Sequence, residues 1–179
     1  MAFKLEKNKE VLDLESRNKI YHLVSKNAGS HLRELERKSR ISYSTLKYHL
    51  HYLTRKGLIV EKKGEGNSRF FIKEVSTEDI ETLSMLRQKN MRKILIYLAA
   101  NKKTKLAELE QFTKLSASTI SWYLNRLIKK RVVEKTADRR NVTFELSSDR
   151  EEIKRILISY RESFLDNLVD KVVEMWEVG

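Results

Sequence analysis

The chain holds one plan twice. Ile41–Leu53 reads ISYSTLKYHLHYL, and seventy-four positions later Leu115–Leu127 reads LSASTISWYLNRL. Ser42 falls on Ser116, Ser44 on Ser118, Thr45 on Thr119 and Leu50 on Leu124. The same offset carries Ile20, Leu23 and Val24 onto Ile94, Tyr97 and Leu98, and Leu32 and Leu35 onto Leu106 and Leu109. Leu46 and Leu53 fall on Ile120 and Leu127, and Phe70 on Phe144. A repeat that keeps its register without a gap points to two copies of one small unit, each with its own core.

Within the first copy, SRNKIYHLVSKN predicts a helix over roughly 16–26, with Ile20, Leu23 and Val24 as its apolar stripe, closed by Asn27-Ala28-Gly29. Ser30 is expected to cap a helix over about 31–38 that buries Leu32 and Leu35. Arg40-Ile41 turns the chain, Ser42 caps a third helix, and Gly57 stops it. LIVEKK and SRFFIK flank GEGN and predict a two-stranded hairpin. Before the unit, Phe3, Leu5, Val11, Leu12 and Leu14 mark a short amphipathic segment. In the second copy, Ser76 or Thr77 caps a joining helix over about 77–88, and VVEKTADRRNVTFEL supplies another hairpin.

The tail starts at Ser147 or Ser148, with Asp149, Glu151 and Glu152 where a helix dipole favours acid. Ile153, Leu157, Tyr160, Phe164, Leu168, Val172 and Met175 then recur at three- and four-residue steps. One continuous helix through them spans roughly 40 Å, more than a small unit covers. A second copy of the chain is the expected partner, making those seven residues a dimerisation stripe. The domains expected are therefore 1–75, 76–147 and a C-terminal dimerisation helix over 148–179. The fold class is mainly α with small β-hairpins (α+β).

Charge separates these parts. The whole chain carries +12, divided as +8 over residues 1–75, +7 over 76–147 and −3 over 148–179. Two basic units and an acidic tail suit a polyanion bound by the units. With no Cys, disulfides and thiolate metal sites are excluded. The N-terminus lacks the apolar core of a signal peptide, and no run is long enough for a bilayer, so a cytoplasmic protein without membrane contact is expected.

The third helix of each copy is where the polyanion is expected to be read. With Leu46 at the centre of the buried face, about 100° per residue puts Leu50 and Leu53 beside it and His49 at its edge. Ser44, Lys47, Tyr48 and His51 fall on the opposite face, with Tyr43 near the first turn. Donors, a cation and an aromatic suit base edges and phosphates of a major groove. The second copy presents Ala117, Ser118, Ser121, Trp122 and Asn125, with Arg126 at the edge. Lys62, Lys63 and Arg69 surround the first hairpin tip, and Lys135, Arg139 and Arg140 the second. The different faces predict different base preferences. Tyr48 and Trp122 stand at equivalent positions, and two roles stay open for them: contact with DNA, or packing against the hairpin or a neighbouring helix.

SYSTLKYHLHYLTRKGLI and SASTISWYLNRLIKKRVV resemble the helix-turn-helix and following strand of ArsR/MarR-like winged-helix transcription regulators, archaeal ones above all. The resemblance covers roughly 16–73 and 90–146. It implies two tandem winged helix-turn-helix domains plus a long C-terminal helix, with double-stranded DNA as partner. The helices over 42–55 and 116–129 would read the major groove, and the hairpins, as wings, would touch phosphates or the minor groove. Carried over by position, the implied contacts are Ser42, Tyr43, Ser44, Lys47, Tyr48, His51, Lys62, Lys63 and Arg69 in the first unit. In the second they are Ser116, Ala117, Ser118, Ser121, Trp122, Asn125, Arg139 and Arg140. The tandem arrangement departs from the many members with one unit per chain. The expected protein is a homodimeric, nucleoid-associated regulator that uses no cofactor, its effector unknown.

Other classes fare worse. Of His22, His31, His49 and His51, only the last two are close in sequence, and at a spacing of two they point to different sides of a helix, so no metal site is expected. Gly64-Glu65-Gly66 precedes no helix and is a turn rather than a phosphate loop. No Ser is tied by spacing to His and Asp, so an enzyme is not expected. The alternative reading is a tandem winged-helix scaffold for protein interactions in a chromosome- or polymerase-associated complex.

Overall fold

The computed structural model describes residues 14–64, 67–138, 141–147, 150–164 and 167–178. The amphipathic segment expected over 3–15 lies outside them except for its last two residues. Two compact units emerge: Met1–Ser84 with Glu162–Leu165, and Met85–Arg161 with Asp166–Gly179.

In the first unit, α1 (Glu15–Lys26), α2 (Leu32–Ser39) and α3 (Tyr43–Arg55) pack on one another and on a small sheet. Their apolar positions recur at helical spacing, and Ile20, Val24, Leu35, Leu46, Leu50 and Leu53 are buried in one core with Leu58, Ile59 and Phe70. The sheet has three antiparallel strands in the order β1 (Ser30–His31), β3 (Arg69–Ile72), β2 (Ile59–Lys62). Ile59 pairs with Ile72 and Ser30 with Phe70. β1 corrects the expected cap. Ser30 is drawn into the sheet, and the N-cap of α2 is His31, whose Nδ1 accepts from the Glu34 N–H at 3.2 Å. α4 (Thr77–Leu86) follows, and the Ser76 hydroxyl accepts from the Asp79 N–H at 3.1 Å.

The second unit repeats this with α5 (Lys89–Ala100), α6 (Leu106–Thr113), α7 (Ala117–Lys129) and the hairpin β4 (Val133–Asp138)–β5 (Asn141–Leu146). Thr104 bridges Phe144 just as Ser30 pairs with Phe70. Backbone details recur at the same offset. Asn27 and Asn101 each donate Nδ2 to the carbonyl four residues back, Leu23 O and Tyr97 O, both at 2.8 Å. Arg40 and Lys114 both turn left-handed, at φ 57° and 58°, after α2 and α6. Gly57 and Arg131 do so after α3 and α7, at 72° and 58°. Two-unit α+β architecture with hairpins therefore holds at the level of individual hydrogen bonds.

The tail departs from expectation. It forms α8 (Arg150–Ser159), a 3-10 turn at Arg161–Ser163 and α9 (Asn167–Val178), not one continuous helix. α8 packs on α5, and α9 packs back on α8. Arg161 Nε holds Asp170 at 2.6 Å and its Nη2 holds Glu174 at 3.1 Å, clasping α9 to the turn. Ile153, Leu157, Phe164 and Val172 are buried, Tyr160 and Leu168 half-buried, and of the seven stripe residues only Met175 is exposed. Folding α9 back on α8 replaces the single long helix on which the expected dimerisation stripe was built. The acidic first turn holds for Glu151 and Glu152, while Ser148 and Asp149 lie outside the described residues.

Candidate nucleic-acid interface

α3 and α7 are built by the same local chemistry. The Ser42 hydroxyl accepts from the Thr45 N–H at 3.3 Å and lies 3.2 Å from the Ser44 and 2.8 Å from the Thr45 hydroxyl. Ser116 repeats all three: 3.4 Å from the Thr119 N–H, 3.1 Å from the Ser118 and 2.9 Å from the Thr119 hydroxyl. A Ser cap satisfies an otherwise orphaned helix donor and fixes where the helix starts. That start sets which side chains face outward.

On α3, Leu46, Leu50 and Leu53 point into the core, and Tyr43, Ser44, Lys47, Tyr48 and His51 are exposed together. Tyr48 is 62% exposed, with its ring edge-on to that of His49. Arg33 of α2 stacks 4.6 Å over the Tyr43 ring and pairs with Glu36 at 3.1 Å. It belongs to this face although sequence reasoning passed over it. The signal lay in the third dimension, because Arg33 and Tyr43 sit on different helices.

His49 lies on the core side of α3 rather than at its edge. It is 6% exposed, and its Nδ1 has no hydrogen-bond partner among the described residues. Burial lowers its pKa below the ordinary imidazole value, and the Arg17 charge lowers it further. The Arg17 guanidinium lies 4.0 Å over the Tyr52 ring.

On α7, Ser118, Trp122 and Asn125 are exposed while Ala117 and Ser121 are half-buried. Trp122 is 53% exposed, with the Arg126 guanidinium 4.6 Å over its ring and Tyr123 edge-on. This face offers a wide aromatic and an amide, with its cation stacked on the ring instead of projecting at the position of Lys47.

The hairpin cations divide. Lys63 is exposed, Lys62 pairs with Glu81 of α4 at 3.0 Å, and Arg69 donates Nη1 to Gly29 O at 2.7 Å. An exposed pair such as Lys62–Glu81 holds by roughly 0–1 kcal/mol, so a phosphate can take the lysine. Arg69 is half-buried and ties β3 to the turn before β1, a structural role that the sequence did not suggest. Lys135 is exposed on β4. Arg139 and Arg140 lie outside the described residues. Among the described residues, no group of three or more His, Cys, Asp or Glu could hold a metal ion. None of their helices is long and apolar enough to cross a membrane.

A cleft of about 370 Å³ opens between α2, α3 and the β2–β3 hairpin, lined among others by Tyr43, Lys47, His51 and Asn67. It joins α3 and the hairpin into one surface of the first unit.

Comparison with known proteins finds two family models along the chain. Residues 14–83 match the family model described as an N-terminal HTH domain. Residues 87–134 match the winged helix-turn-helix DNA-binding model. An uncharacterized HTH-type transcriptional regulator of Methanocaldococcus jannaschii is 28% identical over 123 residues. That match takes in 69% of this chain but spans only 31% of the relative's length. Among solved structures, human N-acetylserotonin methyltransferase in complex with SAM aligns over 74% of this chain and 43% of its own, at 11% identity. Its TM-score of 0.28 is too low to bear on fold or activity.

Proposed function

We propose that this chain, which carries two winged helix-turn-helix domains in tandem, is a non-enzymatic transcription regulator that binds double-stranded DNA. In this reading α3 enters a major groove through Tyr43, Ser44, Lys47, Tyr48 and His51. Ser42 and Ser116 set the helix starts against the backbone, and Lys62 and Lys63 meet flanking phosphates. α7 reads a second stretch through Ser118, Ser121, Trp122 and Asn125, with Ala117 leaving room at its first turn. Arg69 contributes by holding the hairpin in place.

The observation that carries the reading is the exposed face of α3. Five polar or aromatic side chains stand together on a helix whose other face is fully buried, in a unit carrying +8. Short donors and one lysine on a capped helix match the chemistry of base edges and phosphates. Two different reading faces support two different half-sites. Pairing of two chains rests on exposed apolar residues of the tail, Ile158 and Met175 among the described residues, and sedimentation over a concentration series tests it. A cytoplasmic place on the nucleoid follows from the same reading.

Selection from a random duplex pool tests the function. The full chain is expected to enrich a shared sequence, and Ser44→Ala/Lys47→Ala and Ser118→Ala/Ser121→Ala double variants are expected to lose different parts of it. A pool that stays random after repeated rounds refutes sequence-specific reading.

A further inference from the structure

The cleft of the first unit has a composition that a plain DNA-facing surface does not require. Leu32, half-buried, gives the cleft an apolar floor, with Leu50 and Phe70 packed almost wholly covered behind it. Lys47 and His51 stand one helical turn apart on its wall, and neither has a hydrogen-bond or ion-pair partner among the described residues. Arg33, stacked over Tyr43 and shared with Glu36 in an exposed pair that a phosphate can displace, adds a second cation. The hairpin adds an exposed carboxylate, Glu61, and an amide, Asn67.

We propose that this cleft binds a single nucleotide. The volume of about 370 Å³ is at the small end of the roughly 300–1,000 Å³ typical of ligand sites. Lys47 and Arg33 call for an anionic end such as a phosphate. The apolar floor calls for a flat, weakly solvated body, which a bare anion lacks. Glu61 accepts hydrogen bonds only, and Asn67 both donates and accepts, so together they match an amino group beside a ring nitrogen, as on adenine. A carboxylate here is out of place for phosphate contact alone, since it repels the backbone.

Two sources present this chemistry: a free mononucleotide, or one nucleotide of a bound strand. The second source rests on the DNA-binding reading above. The first does not, and it makes the nucleotide a competitor of duplex DNA, because Tyr43, Lys47 and His51 would serve both.

The test titrates AMP into the full chain, reading thermal stability and displacement of a bound duplex by fluorescence anisotropy. Inorganic phosphate at matched ionic strength is the control, and Glu61→Gln and Leu32→Trp are the variants. For a free nucleotide, AMP raises the wild-type melting temperature and displaces the duplex, phosphate does neither, and Glu61→Gln weakens the AMP response about tenfold. For a strand nucleotide, AMP is silent, but Glu61→Gln weakens duplex binding. That sign is diagnostic, because removing a negative charge near DNA otherwise strengthens binding. Leu32→Trp, which fills the floor, should act like Glu61→Gln, and the surface variant decides if the filled one fails to fold. AMP and phosphate acting alike, or AMP silent with duplex binding unaffected by Glu61→Gln, overturns the proposal. An AMP response with no duplex binding overturns the DNA reading instead and leaves this one standing.

Discussion

Gly57 and Arg131 occupy the same place in the two units, and exchanging their chemistry should move stability in opposite directions. Gly57 N donates to Thr54 O at 2.9 Å and Leu58 N to Leu53 O at 3.0 Å. Arg131 N and Val132 N repeat this to Ile128 O and Leu127 O at 2.9 and 3.0 Å. Both residues hold positive φ, 72° and 58°. A Cβ added at Gly57 meets nothing within 4 Å. Gly57→Ala therefore adds no clash with other residues, and its cost is the left-handed backbone itself, about 1–2 kcal/mol. The stiffer unfolded chain returns about 0.4–1 kcal/mol of this. The midpoints of these two ranges leave a net loss of about 0.8 kcal/mol, a few degrees of melting temperature for a unit of this size. Arg131→Gly removes the same strain and should gain a similar amount. Urea and thermal unfolding of the full chain, followed by far-UV circular dichroism, reads both. Shifts of the same sign, or a neutral Gly57→Ala, would refute the reasoning that backbone conformation governs these sites.

Four further outcomes follow from particular contacts. Asn101→Ala should destabilise by about 1 kcal/mol, since it removes the Nδ2 hydrogen bond to Tyr97 O, and Asn27→Ala by more, since it also loses the bond from Lys38; unchanged urea midpoints would contradict this. Because the pKa of His49 is lowered in the fold, the unfolded chain binds the extra proton first as pH falls. Stability should drop below about pH 6.5 and level off once the folded imidazole also titrates, and His49→Leu should flatten that slope in a pH series of unfolding curves. Arg69→Ala should lower the melting temperature as well as DNA affinity, because its guanidinium anchors Gly29; an effect on affinity alone would make it a plain phosphate contact. Glu81→Gln, which frees Lys62, should strengthen duplex binding severalfold at low salt, and no change by anisotropy would remove Lys62 from the contact set.

Much of this was legible in the sequence where a repeat could speak. The two apolar stripes, the Ser42 and Ser116 caps and the paired hairpins follow from periodicity and spacing, and the structure keeps them in register. The left-handed turns at Arg40, Lys114 and Arg131 were not legible, because their residue types do not signal positive φ as Gly57 does. The sheet pairing that took Ser30 from its expected capping role depends on Phe70, forty residues away, and so does the tie from Arg69 to Gly29. The tail misled for a related reason. No Pro or Gly interrupts 150–178, so local propensity favours one helix, yet packing of α8 on α5 and α9 on α8 outweighs it. The cleft draws on α2, α3 and both hairpin strands, a combination that no linear spacing reveals.

Contact between α3 and DNA through Lys47 is tested most directly by the salt dependence of duplex binding. Anisotropy titrations of wild type and Lys47→Ala across a salt series should give a steep linear fall of log affinity with log salt. The variant's slope should be shallower by about 0.9, the value of one phosphate contact on B-DNA. No binding of wild-type protein at low salt, or identical slopes for the two proteins, would contradict the account.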